Sequence, residues 1–370
     1  MTALPPVTTG RAQAWARGAL FVVITAGTLL RFAGLSHDLH EGHLYHPDTP
    51  KQIRAAERYL DGRYYFYIGH SDYDGYPYFT SHLVEWTVRA GQPIVRGARA
   101  LLGLPVDAGQ PASRDLYWIF RFLNATLASL LVWLLYRGVR REWGEGAGLL
   151  AALLLAVSPA DVAACHYEAG DTPASFFATL AVLAALRVYR DGRAGSIIAG
   201  TFLAVCAFAA KYHGALAGLA VALAFALRQP GRWGWIATRA AWRGWGLMAA
   251  VAVVSVFVTI PALFLHPVRM VEHIHGFLTY ASAFHLPKAV EEGGALAKLI
   301  YSLRQNLPEL LAMLSGPAAL AGLFAFGLAV RRDRRVLLLA VLPLTYIFVA
   351  LGLRPQSHPV YHTLTLPILF

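Results

Sequence analysis

Charge is scarce in this sequence, and so are cysteine and lysine. Only 14% of the 370 residues are Asp, Glu, Lys or Arg, against about 25% in soluble domains. The mean hydropathy is +0.48. A water-soluble globule is thereby excluded. Two cysteines, Cys165 and Cys206, cannot supply a disulfide framework or a four-ligand zinc site. Cys165 lies beside an outer loop and is expected to be the one that reacts. Glycine-rich phosphate-binding signatures are missing, so no nucleotide-binding loop is expected. Lysine supplies only four of the 32 basic residues, which makes a lysine between two apolar segments conspicuous.

The chain is rich instead in apolar runs of about 20 residues, each long enough to cross a hydrocarbon core of about 30 Å as a helix. Such runs fall near 18–35, 115–136, 146–160, 172–188, 195–210, 212–228, 246–265, 308–330 and 336–353, with another beginning near 362. The expected fold is an all-α polytopic membrane protein of about ten transmembrane helices, a single domain over 1–370. The first run follows Arg11 and Arg17 and has no small-residue cleavage site. It reads as an uncleaved anchor with a cytoplasmic amino terminus. The chain stops inside an apolar run at Phe370, so truncation is expected there.

Threading the runs alternately gathers Arg137, Arg140 and Arg141, then Arg187, Arg190 and Arg193, then Arg228, Arg232, Arg239 and Arg243, then Arg331, Arg332, Arg334 and Arg335 on one side. That side is cytoplasmic by the positive-inside rule. The net charge of +11 is therefore a topological signal and does not point to nucleic acid as a partner. Arginine-rich, alanine-rich usage suggests a bacterial inner membrane. All fourteen histidines fall on the opposite side, with every carboxylate except Glu142, Glu145, Asp191 and Asp333. Titratable groups gathered on one face mark a site of binding or chemistry at the outer leaflet.

The first outer loop, 36–114, carries structure of its own. Pro50 opens a short helix over 50–60, and residues 80–103 form an amphipathic interfacial segment expected to break near Gly91 and Pro93. Ahead of the short helix stands HLYHPDTPKQ, which contains His46 and Asp48. An Asp near a helix amino terminus stays ionised. As a cap it is structural; as a base it accepts a proton from an acceptor hydroxyl.

A second polar cluster, SPADVAACHYEAGDTPASFF at 158–177, supplies Asp161, His166, Glu168 and Asp171. Asp171 also sits where a helix cap belongs. A Glu-x-x-Asp pair with a nearby His could hold a divalent cation, at weak specificity. Lys211, with Tyr212, His213 and Gly214, stands between the fifth and sixth runs, placed either to snorkel or to pair with a phosphate. The last outer loop offers Arg354, His358, Tyr361 and His362 to the same anion. The NAT triplet at Asn124 lies inside a span and is not a glycosylation acceptor.

The order of these elements resembles one family. The first span followed by HPD, the SP…H…D…P block before the fourth span, the lysine closing the fifth and a terminal Tyr…Pro segment are similar to the lipid-carrier-dependent glycosyltransferases of the GT-C superfamily. Within it, the dolichyl-phosphate-mannose protein mannosyltransferases and the lipid A aminoarabinose transferases are the nearest in pattern. The resemblance covers nearly the whole chain. It implies a polyprenyl-phosphate-linked sugar donor, a lipid, protein or polysaccharide acceptor at the outer face, and inversion at the anomeric carbon. It makes Asp48 the general base and Asp171, or Glu168 beside it, the second-loop carboxylate. Lys211 or Arg354 becomes the cation for the donor phosphate, with His46, His166, His213 and Tyr361 as further substrate contacts. The chain departs from the family where Thr49 follows Asp48 and Val360 precedes Tyr361, which leaves metal use and the donor head group open. A multi-pass transporter and a non-catalytic cell-envelope scaffold are the alternatives. The polar groups sit at the ends of spans rather than at the midplane and no half of the sequence repeats the other, which favours the transferase.

Overall fold

A computed structural model describes residues 10–35, 49–62, 79–101, 113–229, 238–260 and 262–265, with isolated positions between 267 and 340. Among the described residues every regular element is helical. Two compact units divide the chain. The first holds α1 (Gly10–Phe32), α2 (Thr49–Leu60), α3 (Phe79–Leu101), α4 (Ser113–Trp143), α5 (Glu145–Ala156), α6 (Pro159–Ala164) and the opening turns of α7 (Asp171–Asp191). The second holds the rest of α7, α8 (Ala194–Ala210), a 3-10 turn over Tyr212–Leu216, α9 (Ala217–Arg228), α10 (Arg239–Thr259) and α11 (Ala262–Leu265).

Four described helices are long and apolar enough to cross a membrane: Ala14–Phe32, Asp115–Trp143, Asp171–Asp191 and Arg239–Thr259. Exposed apolar side chains on α1 and α10, among them Phe21, Leu29, Val254 and Phe257, are what lipid-facing helices carry. Where helices meet, small residues let the backbones close in. The buried face of α5 is Gly148, Ala151, Ala152, Leu155 and Ala156. A Cβ placed on Gly27 of α1 would stand 2.9 Å from the Cβ of Ala156, so α1 and α5 pack at a distance only glycine permits.

The first unit is built around α4, on which α1, α3 and α5 pack. Gly144, at φ 92°, turns α4 back into α5. Glu145 locks that turn by accepting from Arg140 Nε at 2.6 Å and from the Tyr136 hydroxyl. α2 and α3 pack side by side, with Ser81 on Gln52 and Arg89 on the Tyr59 and Leu60 carbonyls, and their apolar seam of Ile53, Ala56, Leu60, Val84 and Val88 continues onto Leu116 and Phe120 of α4.

Several boundaries differ from the hydropathy reading. The expected span 146–160 ends at Ala156 because Pro159 pushes Ser158 out of the helical region, to φ −64° and ψ 113°. Ser158 then caps α6 by accepting from the Asp161 amide. The expected span 212–228 opens as the 3-10 turn and continues as α9, and Lys211, extended at φ −158° and ψ 133°, separates it from α8. α10 starts earlier than expected, where the Thr238 hydroxyl accepts from the Ala241 amide at 3.2 Å. A hydropathy window discounts Arg239 and Arg243, whereas the cap sets the true start. The break expected near Gly91 and Pro93 does not occur: α3 runs through Pro93. Pro93 is exposed, so the carbonyl it deprives of a partner is not sealed in a core. The spans expected at 308–330, 336–353 and near 362 lie outside the described residues, apart from a few helical positions such as 335–340.

Candidate functional site

The first unit gathers its buried charges where α1, α5 and α6 end, α7 begins and the early turns of α4 pass. Arg31, in the last turn of α1, is fully buried. Its Nη1 donates to the carbonyls of Gly27 at 2.9 Å and Ala156 at 3.0 Å, and its Nη2 to Leu155 O at 2.8 Å and Asp161 Oδ2 at 2.5 Å. Leu155 and Ala156 close α5, so the guanidinium meets carbonyls of its last turn, of which Leu155 O also accepts from the Ser158 amide, at the negative end of its dipole. Burial pushes the Asp161 carboxyl up from its ordinary value while the Arg31 charge pulls against that shift.

A second buried pair lies alongside. Arg121 Nε of α4 donates to Glu168 Oε1, and its Nη1 donates to Leu35 O at 3.0 Å. Thr49 Oγ1, at the start of α2, donates to Glu168 Oε2 at 3.1 Å. Asn124, one turn along α4, donates from Nδ2 to the carbonyls of Tyr167 at 2.7 Å and Ala169 at 3.4 Å. The His166 ring meets Arg31 O through Nε2 at 2.9 Å. The segment 165–169 is thereby fastened to the end of α1 on one side and to α4 on the other. Gly34, at φ 78°, closes α1 with the left-handed turn that frees Leu35 to face Arg121.

Of the residues singled out in the sequence, His166, Glu168 and Asp171 stand in this region. Asp171 opens α7 and is 2% exposed. Lys211 and His213 belong to the second unit. Lys211 is 3% exposed where α8 gives way to the 3-10 turn, and Gly214 passes so near Ala207 that an added Cβ would lie 2.2 Å from its carbonyl oxygen. The described structure thus buries Lys211 rather than letting it snorkel. His46, Asp48, Arg354 and Tyr361 lie outside the described residues.

Two expectations need correction. His166, Glu168 and Asp171 do not form a cation site: among the described residues no three His, Cys, Asp or Glu side chains are placed to hold a metal. Both Glu168 oxygens are already occupied by Arg121 and Thr49. Nor is Cys165 reactive. It is fully buried, its Sγ donates to Val162 O at 3.0 Å, and burial pushes its thiol up to about 12.

The reading of the sequence missed Arg31, Arg121, Asn124 and Thr49. A signal was available for the arginines. Both lie inside runs taken as membrane spans, where an unpaired charge is costly enough to demand a partner. Nothing local marked Thr49, whose importance comes from Glu168.

A second polar knot ties α2 to α3. The His82 ring stacks on Tyr59 with centroids 3.8 Å apart and planes 4° from parallel. Its Nδ1 meets Glu85 Oε2 at 3.1 Å, and Arg89 Nε donates to Glu85 Oε1 at 2.8 Å. Burial lowers the His82 pKa from its ordinary value, against the opposing pull of Glu85.

Comparison with known proteins agrees with this architecture. The Dolichyl-phosphate-mannose-protein mannosyltransferase family matches residues 114–260, from the start of α4 to the end of α10. No curated protein matches the sequence. Among solved structures, ArnT from Cupriavidus metallidurans in the apo state aligns with a TM-score of 0.59 at 18% identity, covering 97% of this chain and 59% of that one. The same protein bound to undecaprenyl phosphate aligns with a TM-score of 0.59 at 18% identity, covering 95% and 58%. The chain thus spans less than two thirds of the length of these structures. The chain thus shares its helical fold with ArnT, and its stretch from α4 to α10 is similar to the Dolichyl-phosphate-mannose-protein mannosyltransferase family.

Proposed function

We propose that the protein is a membrane glycosyltransferase that moves a sugar from a polyprenyl-phosphate donor to an acceptor hydroxyl or amine at the outer face of a bacterial inner membrane, with inversion. The observation that carries this reading is the cluster of buried charges, Arg31 with Asp161 and Arg121 with Glu168, at the ends of apolar helices and hydrogen-bonded to Thr49, the residue that follows Asp48. Ionisable groups at that depth need a function or a partner to offset their desolvation. The family match and the ArnT fold support the same reading, and the undecaprenyl phosphate bound to ArnT in one structure supports a polyprenyl-phosphate donor.

The chemistry asks little of the protein. The acceptor oxygen or nitrogen forms a bond to the anomeric carbon as the bond from that carbon to the phosphate oxygen breaks. The phosphate leaves with the electron pair, and the acceptor proton passes to Asp48 as general base. Lys211 and Arg354 are the candidate cations for the departing phosphate, and Asp171, His46, His213 and Tyr361 the candidate contacts to sugar and acceptor. His166 is assigned instead to the carbonyl of Arg31 that it meets.

The test is transfer of radiolabelled sugar from a panel of polyprenyl-phosphate donors in membranes carrying the full-length protein, with Asp48→Asn and Lys211→Ala alongside and with a chelator arm. Transfer that disappears in a folded Asp48→Asn protein is expected. Absence of wild-type transfer across the panel, together with movement of a solute, would replace this reading with the carrier.

A further inference from the structure

Glu168 is 3% exposed and spends one carboxylate oxygen on Arg121 and the other on Thr49 Oγ1 at 3.1 Å. Arg121 in turn holds Leu35 O at 3.0 Å. Leu35 and Thr49 flank residues 36–48, the stretch that carries His46 and Asp48. A stretch of that length could separate its ends by about 43 Å if extended, yet both ends are tied to one ion pair. Burying two opposite charges costs desolvation that an apolar pair avoids. What the ion pair adds is direction: its hydrogen bonds fix where Leu35 leaves α1 and where Thr49 begins α2.

We propose that Arg121 and Glu168 form a positioning pair, acting through Leu35 and Thr49 to fix the place from which Asp48 reaches the acceptor. The proposal rests on Asp48 as the base, and it moves Glu168 from the substrate contacts to the scaffold that aims the base. Misaiming a general base lowers turnover without weakening donor binding. Thr49 is the most informative handle, because Thr49→Val keeps its volume and leaves the ion pair intact, whereas Glu168→Gln strands the Arg121 charge and can fail to fold.

The experiment measures kcat, KM for the polyprenyl-phosphate donor and thermal midpoint in the full-length protein for wild type, Thr49→Val, Thr49→Ser and Asp48→Asn. Expected is a kcat lowered about tenfold in Thr49→Val at unchanged KM, with Thr49→Ser restoring most of it because the hydroxyl returns. Wild-type kcat in Thr49→Val, or a loss that Thr49→Ser does not rescue, overturns the positioning pair. So does a rise in KM at constant kcat, which would make Thr49 or Glu168 a donor contact. Asp48→Asn separates the two readings. Wild-type turnover there removes the base and this proposal with it, whereas loss there beside wild-type turnover in Thr49→Val removes the positioning pair alone.

Discussion

Arg31 and Asp161 stand 130 residues apart in the chain and meet at 2.5 Å, guanidinium Nη2 to carboxylate Oδ2, with both side chains buried. One contact joins the end of α1 to α6, and two further bonds from the Arg31 guanidinium, to Ala156 O and Leu155 O, close the end of α5.

Breaking that pair from one side is expected to be costly. Asp161→Asn leaves a buried guanidinium without its counter-charge, at a loss of about 3–5 kcal/mol. Thermal unfolding in detergent should show it, together with lower yield of folded protein. Removing both charges in Arg31→Met with Asp161→Leu is expected to cost less than the sum of the two single changes. An additive loss would mean that the two side chains act independently.

The contact of α1 with α5 gives a second expectation. In Gly27→Ala the new methyl group would stand 2.9 Å from Ala156 Cβ and 3.2 Å from Arg31 Nη1, so the helices must separate or Arg31 must shift. A loss of about 1–3 kcal/mol is expected. Adding Ala156→Gly should return part of it, read as the thermal midpoint of the single and double variants. No difference from wild type in Gly27→Ala would show that α1 and α5 do not pack this closely.

His82 makes the packing of α2 on α3 pH-sensitive. Its folded pKa lies below the ordinary 6.5, so the unfolded chain takes up a proton at a higher pH than the folded one does. The contribution of neutral His82 is therefore fully present above pH 6.5 and is lost as pH falls through the lower folded value. Thermal midpoints recorded from about pH 8 down to about pH 5 should fall more steeply for wild type than for His82→Phe, which keeps a ring on Tyr59 but cannot titrate. Parallel profiles would exclude His82 as the source.

Cys165 offers a chemical test of burial. With its thiol pushed up to about 12 and no exposed surface, it holds almost no thiolate at neutral pH. A maleimide should leave both buried cysteines unmodified in the folded protein and label two sites after denaturation. Rapid labelling of Cys165 in folded membranes would mean that the segment 165–169 opens away from α1 and α4.

The general architecture was legible in the sequence because its signals are local. Length and hydropathy of the runs fix α1, α4, α7, α8 and α10 as apolar helices, the scarcity of charge fixes the membrane class, and Pro50 and the amphipathic run after Phe79 mark α2 and α3 as helices. The order of HPD, the 158–177 block and Lys211 was enough to suggest the superfamily. The Ser158–Pro159 break was equally local and was lost because a hydropathy average runs across a kink that the backbone cannot.

Pairing was beyond the sequence. Nothing near Glu168 distinguishes a substrate contact from a partner of Arg121, since both read as a carboxylate in a polar loop. Tertiary structure supplies the pairing, by bringing α4 and the start of α2 to the two oxygens of that side chain. The same holds for Arg31, which in one dimension is a lone charge in an apolar run and in three dimensions joins α1, α5 and α6. The sequence determined which described helices are long and apolar enough to cross a membrane, because length and hydropathy are properties of composition alone. Which charges neutralise one another was decided only by the fold, because an ion pair depends on distances of a few ångströms between residues far apart in the chain.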